Sequence, residues 1–333
     1  MRILVTGATG FIGSHLIERL VQEGHKLKAL VRNEKDFEAR NETNVLLKKL
    51  NVEICEGDLL DKDSLKKAVK NVEVIFHLAA IARPMEIPKS LYFKINEEGT
   101  KNLLEACKGK KMKKIVVMSS ISAVGPTVDG DPVSEKTRCA PIDPYGWSKL
   151  AQENVGIDYF KKCKLPVVLL RPSMVFGPRD FEMLRLFKAV NKRFFPLSRN
   201  EKGIDFLYVE NLVEACVLAM KNGKSGEKYH ISNGRAYSLN ELVNSISHAE
   251  GKKVLPIYFP KFFFKFAGYF IEFFGKIFRF HAPFKHDTVD WMTKKFWIAD
   301  ISKAKKELGY NPKISLDEGV IRTVDYYKKT GLL

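Results

Sequence analysis

Tyr145 and Lys149 stand four residues apart in Tyr145-Gly146-Trp147-Ser148-Lys149. On a helix that offset puts both side chains on one face. An ammonium beside a phenol favours the phenolate and draws its pKa toward neutrality, which makes a general acid/base for a hydroxyl or a carbonyl. Of the 11 tyrosines in the chain, only Tyr145 has a lysine at that offset. Ser120 lies 25 residues earlier, at the end of an expected strand, where its hydroxyl can hold a reacting oxygen. Alone, such a serine is an ordinary hydrogen-bonded strand end; beside the pair it reads as the third catalytic member.

A second constellation is Thr6-Gly7-Ala8-Thr9-Gly10-Phe11-Ile12-Gly13, which follows a short apolar run and opens a helical pattern. Gly7 permits a tight turn, Gly10 lets the backbone approach a pyrophosphate, and Gly13 lets helix and strand pack closely. The turn ends on the free N–H groups and positive end of a helix, which suit phosphates, with Thr9, Phe11 and Ile12 in the same cradle. The second apolar run ends Leu30-Val31-Arg32-Asn33. No carboxylate stands there to hold the ribose 2′-hydroxyl of NAD, whereas Arg32 is placed to pair with a 2′-phosphate, so NADP is expected over NAD. The plain alternative is a surface arginine. Asp58-Leu59 ends the third run, with a carboxylate able to accept from an adenine amino group. Leu78, Ala79 and Ala80 follow His77 at the end of the fourth, and their small side chains let a dinucleotide lie across the strand ends.

These residues need a frame. Apolar runs at Ile3–Val5, Leu27–Val31, Val52–Glu56, Val74–Leu78, Ile115–Met118 and Val167–Leu170 alternate with helical patterns. Such runs indicate a parallel sheet covered on both faces, and right-handed crossovers make the doubly wound α/β (Rossmann) fold the economical solution. Residues 1–177 are expected to form this dinucleotide-binding domain. A strand and helix at Phe206–Met220 and a strand at Lys228–Ser232 are expected to return to it, through 204–232. Residues 178–203 and 233–333 are expected to build a smaller, partly interleaved C-terminal substrate lobe.

Composition narrows the partners. The chain has 333 residues and a net charge of +17, which permits an anionic partner without choosing one. The Lys-rich run Lys108–Lys114 reads as a solvated loop, and no nucleic-acid reader motif accompanies it. The five cysteines contain no CxxC and read as reduced thiols of a cytoplasmic protein. No His or Cys spacing indicates a metal. With a first strand expected at Arg2–Val5, no signal peptide is expected, and no run of about twenty uncharged apolar residues suits a spanning helix.

Taken in order, these motifs resemble the extended short-chain dehydrogenase/reductases. Thr6–Gly13, Asp58-Leu59, His77–Ala80, Asn96-Glu97-Glu98-Gly99-Thr100, Ser119-Ser120, Tyr145–Lys149 and Arg171-Pro172 follow the family's sequence of motifs. The likeness continues through Phe206–Asn211 and Leu308–Pro312 nearly to the end. It implies Ser120, Tyr145 and Lys149 as the catalytic set, with Ser119 and Ser122 as rivals for the serine role. It also implies Asn96 as a support for the neighbouring helix and a relay water, Pro172 in the cofactor site, and a homodimer through helices around 91–107 and 145–161. Two branches compete. Met118–Pro126 and Trp297–Pro312 look more like the 3β-hydroxysteroid dehydrogenases, dihydroflavonol reductases and hopanoid-associated reductases than like the nucleotide-sugar epimerases and dehydratases. In the epimerases' G-x-G-x-x-x-R-x-F-x-Y-V stretch, Asp205 is read as standing where an arginine is expected, which argues against a nucleotide sugar. The expected activity is hydride transfer to or from a ketone or secondary alcohol on an apolar, sterol-, isoprenoid- or flavonoid-like small molecule. A sugar epimerase or dehydratase is the enzymatic alternative and an NADP-binding redox sensor the non-enzymatic one.

Residues 259–284 hold 11 of the chain's 23 phenylalanines, with Lys261, Lys265, Glu272, Lys276 and Arg279 on one helical stripe. This pattern suits peripheral contact with a membrane or access for an apolar substrate. A helix pair buried in the substrate lobe fits it equally.

Overall fold

The computed structural model describes residues 1–32, 41–82, 87–127, 129–191, 194–198, 203–259 and 296–333. The aromatic basic segment, from residue 260 to 284, lies outside the described residues.

Seven parallel strands form the large sheet: β1 (Arg2–Thr6), β2 (Lys26–Val31), β3 (Glu53–Glu56), β4 (Val74–His77), β5 (Lys114–Met118), β6 (Val167–Pro172) and β10 (Lys228–Ile231), in the order β10-β6-β5-β4-β1-β2-β3. Successive side chains of a strand point to opposite faces, so the sheet feeds two cores. Ile3, Val5, Val116 and Leu170 face one, against Leu16, Ile17 and Leu20 of α1 (Phe11–Gln22). Leu4, Ile75, Val117 and Leu169 face the other, against Leu65 of α3 (Lys62–Ala68) and Leu103 and Leu104 of α5 (Gly99–Cys107). Burial on both faces is why the central strands read as unbroken apolar runs. Helix α2 (Asn41–Lys49) connects β2 to β3. The chain runs outward from β1 to β3, then returns to place β4 on β1's other side. The strand order therefore reverses between β1 and β4, and the crevice at their C-terminal ends is where doubly wound folds bind ligands.

Between β4 and β5, α4 (Lys89–Phe93) passes through one π-helical turn, Lys94–Glu98, into α5. The long helix α6 (Pro144–Cys163) joins β5 to β6. A small sheet follows, in the order β11-β9-β7, from β7 (Met174–Phe176), β9 (Ile204–Tyr208) and β11 (Ala236–Tyr237). A separate parallel pair joins β8 (Phe194–Ser198) to β12 (Leu255–Phe259). Within 204–232, α8 (Val209–Asn222) covers the large sheet and β10 extends it. Strand β9 pairs with β7, which lies inside residues 1–177, and with β11, so it sits in the small sheet and not in the large one. Both its edges are taken: Phe206–Tyr208 pair in parallel with β7, Ile204 and Asp205 pair antiparallel with β11, and Asp205 N also donates to Trp297 O outside the sheet. Helices α7 (Phe181–Val190), α9 (Leu239–Glu250) and α10 (Leu316–Lys329) complete this half.

Candidate active site

At the mouth of the crevice Gly7 has φ +73, and a Cβ there would stand 2.7 Å from Ala79 N. The glycine turn thus lies directly on the end of β4, and the sequence-predicted Gly7, Leu78 and Ala79 meet. Any Cβ on Gly13 would overlap the Gly7 carbonyl oxygen, so helix and turn approach as the spacing predicts. Gly10 is the N-cap of α1, with no side chain capping the first turn and no acidic residue in it. The end of α1 therefore presents backbone N–H groups and a positive dipole toward Gly7–Gly10, with room that only glycines leave, and this fits a pyrophosphate. Arg32 follows the last residue of β2 and is exposed. Asp58 sits after β3, its Oδ1 accepting from Leu60 N at 2.8 Å; Leu59 is buried against Gly99, and its carbonyl accepts from Asn102.

Asn96 clamps the next layer. Fully buried in the π-helical turn, it accepts from Ile81 N at 2.8 Å and donates to Ile81 O at 3.1 Å and to Ser148 Oγ at 2.9 Å. One side chain thus ties the loop after Ala80 to the helix that carries Tyr145 and Lys149. A π turn adds one residue to the helix and commonly marks a functional position.

Asp143 caps α6, accepting from Gly146 N at 2.7 Å, and Pro144 occupies the first turn, where a missing N–H costs nothing. Ser120 caps the short helical turn Ile121–Ala123, its Oγ accepting from Ser122 N at 3.1 Å. Gly146 brings the two starts together: a Cβ on it would overlap Ser122 O. Of the three serines, Ser119 is buried and donates to Glu153 at 2.6 Å, and Ser122 is buried, while Ser120 is partly exposed. Tyr145, also partly exposed, meets the ring of Tyr92 edge-on at 6.3 Å.

Lys149 is buried, its Nζ donating to Met118 O at 2.6 Å and to Gln152 Oε1 at 2.5 Å. Burial brings its pKa down to about 7, opposed by the Glu153 carboxylate one turn on. Burial would raise Glu153, but the Arg171 guanidinium, bound to both its oxygens at 2.7 and 2.6 Å, overcomes this and holds it low. The pair is fully buried at the end of β6, beside Pro172. A cationic group near neutrality one turn from a phenol is the arrangement that lets the phenol exchange a proton.

Sequence reasoning missed Met118 O, Gln152 and Glu153. The signal was present: Lys149, Gln152 and Glu153 are polar residues one turn apart on a helix that must pack against a sheet. One register was also misread. Counting R-x-F back from Phe206 puts the epimerases' arginine position at Ile204, not Asp205. Ile204 is buried, and Asp205 turns inward to accept from Ala299 N at 2.8 Å, with burial raising its pKa to about 6. All five cysteines are free, and no helix among the described residues is long and apolar enough to cross a membrane.

The NAD dependent epimerase/dehydratase family matches residues 3–233. Similar proteins include the mouse (Mus musculus) decarboxylating sterol-4-alpha-carboxylate 3-dehydrogenase, 26% identical over 97% of this chain and 90% of its own length. UDP-glucose 4-epimerase of Vibrio cholerae is 29% identical over 98% of this chain and 95% of its own. Among solved structures, UDP-glucuronic acid 4-epimerase from Bacillus cereus in complex with NAD superposes with a TM-score of 0.78, at 27% identity over 99% of both chains.

Proposed function

The chain belongs to the NAD dependent epimerase/dehydratase family and is an enzyme of that kind, and we propose that it transfers a hydride between a nicotinamide cofactor and a ketone or secondary alcohol on an apolar skeleton. Gly7, Thr9, Gly10, Phe11, Ile12 and Gly13 hold the pyrophosphate. Asp58 and Leu59 flank the adenine, and Leu78, Ala79, Ala80, Asn96 and Pro172 line the path to the strand ends. Arg32, exposed after β2, takes a 2′-phosphate, which makes NADP the preferred form. Bound there, the nicotinamide supplies or accepts the hydride. Tyr145 gives its proton to the substrate oxygen in reduction and takes it back in oxidation. Lys149 stabilises the phenolate, and Ser120 holds the oxygen with its hydroxyl.

The observation that carries the substrate class is Ile204. Where the sugar epimerases' pattern has an arginine, this chain has a buried aliphatic residue whose backbone pairs with that of Trp297. The sterol dehydrogenase relative supports the same class. A nucleotide-sugar epimerase is the second reading, favoured by the end-to-end likeness to UDP-sugar epimerases. We also assign residues 178–203 and 233–333 to substrate binding, the helices near 91–107 and 145–161 to a homodimer interface, and 259–284 to contact with a membrane surface. Product analysis with cofactor deuterated at nicotinamide C4 tests the proposal. Deuterium in an apolar alcohol, with matching oxidation of the cofactor, supports it; turnover of a UDP-sugar without net oxidation refutes it.

A further inference from the structure

A buried line of side chains runs from the glycine turn to Lys149. Thr6 Oγ1 lies 2.7 Å from His77 Nδ1; His77 Nε2 lies 2.8 Å from Thr100 Oγ1; Gln152 Nε2 lies 2.8 Å from the same hydroxyl; and Gln152 Oε1 reaches Lys149. All five residues are buried.

Proton counting gives every link a direction. Thr100 Oγ1 is 2.6 Å from Asn96 O, and a carbonyl only accepts, so the single hydroxyl proton of Thr100 goes there. Both other neighbours must then donate to Thr100. Gln152 turns its NH₂ to Thr100 and its carbonyl to Lys149, and His77 carries its proton on Nε2. Burial first, with the charge of Lys149 adding to it, holds His77 down to about 3, so the ring is neutral and its bare Nδ1 accepts from Thr6. Thr6 Oγ1 in turn accepts from Ala79 N at 3.2 Å, beside Gly7. The line has no free end: it starts on the backbone of the cofactor crevice and finishes on the Lys149 Nζ.

We infer that Gln152 is a positioning residue, whose amide oxygen, aimed by Thr100 and neutral His77, holds the Lys149 Nζ in place below Tyr145. This rests on Lys149 being the catalytic lysine proposed above, although the line itself does not. Among the described residues, the groups that act on Lys149 are Gln152 and Glu153 on its own helix, His77 on β4 and the Met118 carbonyl on β5, with Arg171 on β6 neutralising Glu153; Tyr145 stands one turn back on the same helix. Gln152 is the neutral acceptor among them that a substitution can remove.

Nitrogen-15 NMR of the whole protein tests this without a substrate. Imidazole spectra at neutral pH should show His77 protonated on Nε2 and bare on Nδ1; the opposite tautomer overturns the chain of directions, and the measurement needs no variant. The Lys149 Nζ titration should move down in Gln152→Met and up in Gln152→Glu, each on the order of one pH unit, since a hydrogen bond to a charged group is lost or strengthened. An unmoved midpoint in both variants overturns the role of Gln152. If these shifts appear but Tyr145→Phe keeps full turnover, the catalytic assignment fails and the positioning of Lys149 stands.

Discussion

Arg32 and Lys149 show how differently single residues declare themselves. Arg32 is legible because one position after β2 decides between a 2′-hydroxyl and a 2′-phosphate. If it holds the phosphate, NADPH binds more tightly than NADH, and Arg32→Ala narrows that gap by roughly tenfold or more, the value of a charge-assisted hydrogen bond of about 1.5–3 kcal/mol. Fluorescence titration of both cofactors measures it; equal affinities in the wild type would leave Arg32 as a surface charge. Lys149 is legible from its four-residue offset to Tyr145, since helix geometry is local. Its partners are not local. Met118 O comes from β5 and Thr100 from α5, and only the strand order brings them to α6. Asp205 was misplaced by one position because a strand's alternation shows which residues share a face but not which of two adjacent residues matches a distant pattern.

The helix starts are the elements that assemble the site. Gly146 lets the first turn of α6 close on the turn capped by Ser120, and a methyl group there would overlap Ser122 O. Gly146→Ala is therefore expected to destabilise the fold by about 1–3 kcal/mol, the usual cost of overpacking, and to separate Tyr145 from Ser120. Thermal melts should show the loss, and turnover should fall while NADPH affinity holds. An unchanged melt with unchanged turnover would mean the two turns do not need this contact. Elements were readable where burial is two-sided: β1, β2, β4, β5 and β6 appear within a residue or two of their apolar runs. Strand β9 was readable as a strand but not as a member of the small sheet, because its partners β7 and β11 come from separate stretches of the chain. Strands β7 and β11, three and two residues long, carry too little pattern to be seen at all.

Across the whole molecule the buried ionisable groups set the acid response. Burial lowers His15 and His230 to about 4 and His77 to about 3, so below pH 6.5 the unfolded chain binds protons that the folded chain refuses. Such groups contribute stability above their unfolded pKa, and it is lost as pH falls through the folded values. Burial raises Asp180 and Asp205 to about 6, which acts oppositely: the folded chain takes up their protons first as pH falls from 6. Among these five groups, three histidines against two carboxyls leave about one proton of net difference between pH 6 and 5. Stability should therefore drop by about 1.4 kcal/mol over that unit. Urea unfolding at the two pH values measures it, and a rise toward pH 5 would mean the histidines are not buried neutral.

The doubly wound architecture was legible at this scale because it follows from alternating runs and handedness. The substrate was not, since no local spacing or periodicity reports which side chains from distant stretches of the chain would meet it. The most direct measurement is product analysis with the C4-deuterated cofactor, run on the wild type and on Tyr145→Phe, against apolar ketones and alcohols and against UDP-sugars. The expected result is one deuterium on the carbinol carbon of an apolar product and stoichiometric oxidation of the cofactor. Tyr145→Phe should lose about 10²–10⁴-fold in turnover with cofactor binding retained. Epimerised UDP-sugar with no net cofactor oxidation, or a Tyr145→Phe enzyme as fast as the wild type, would contradict it.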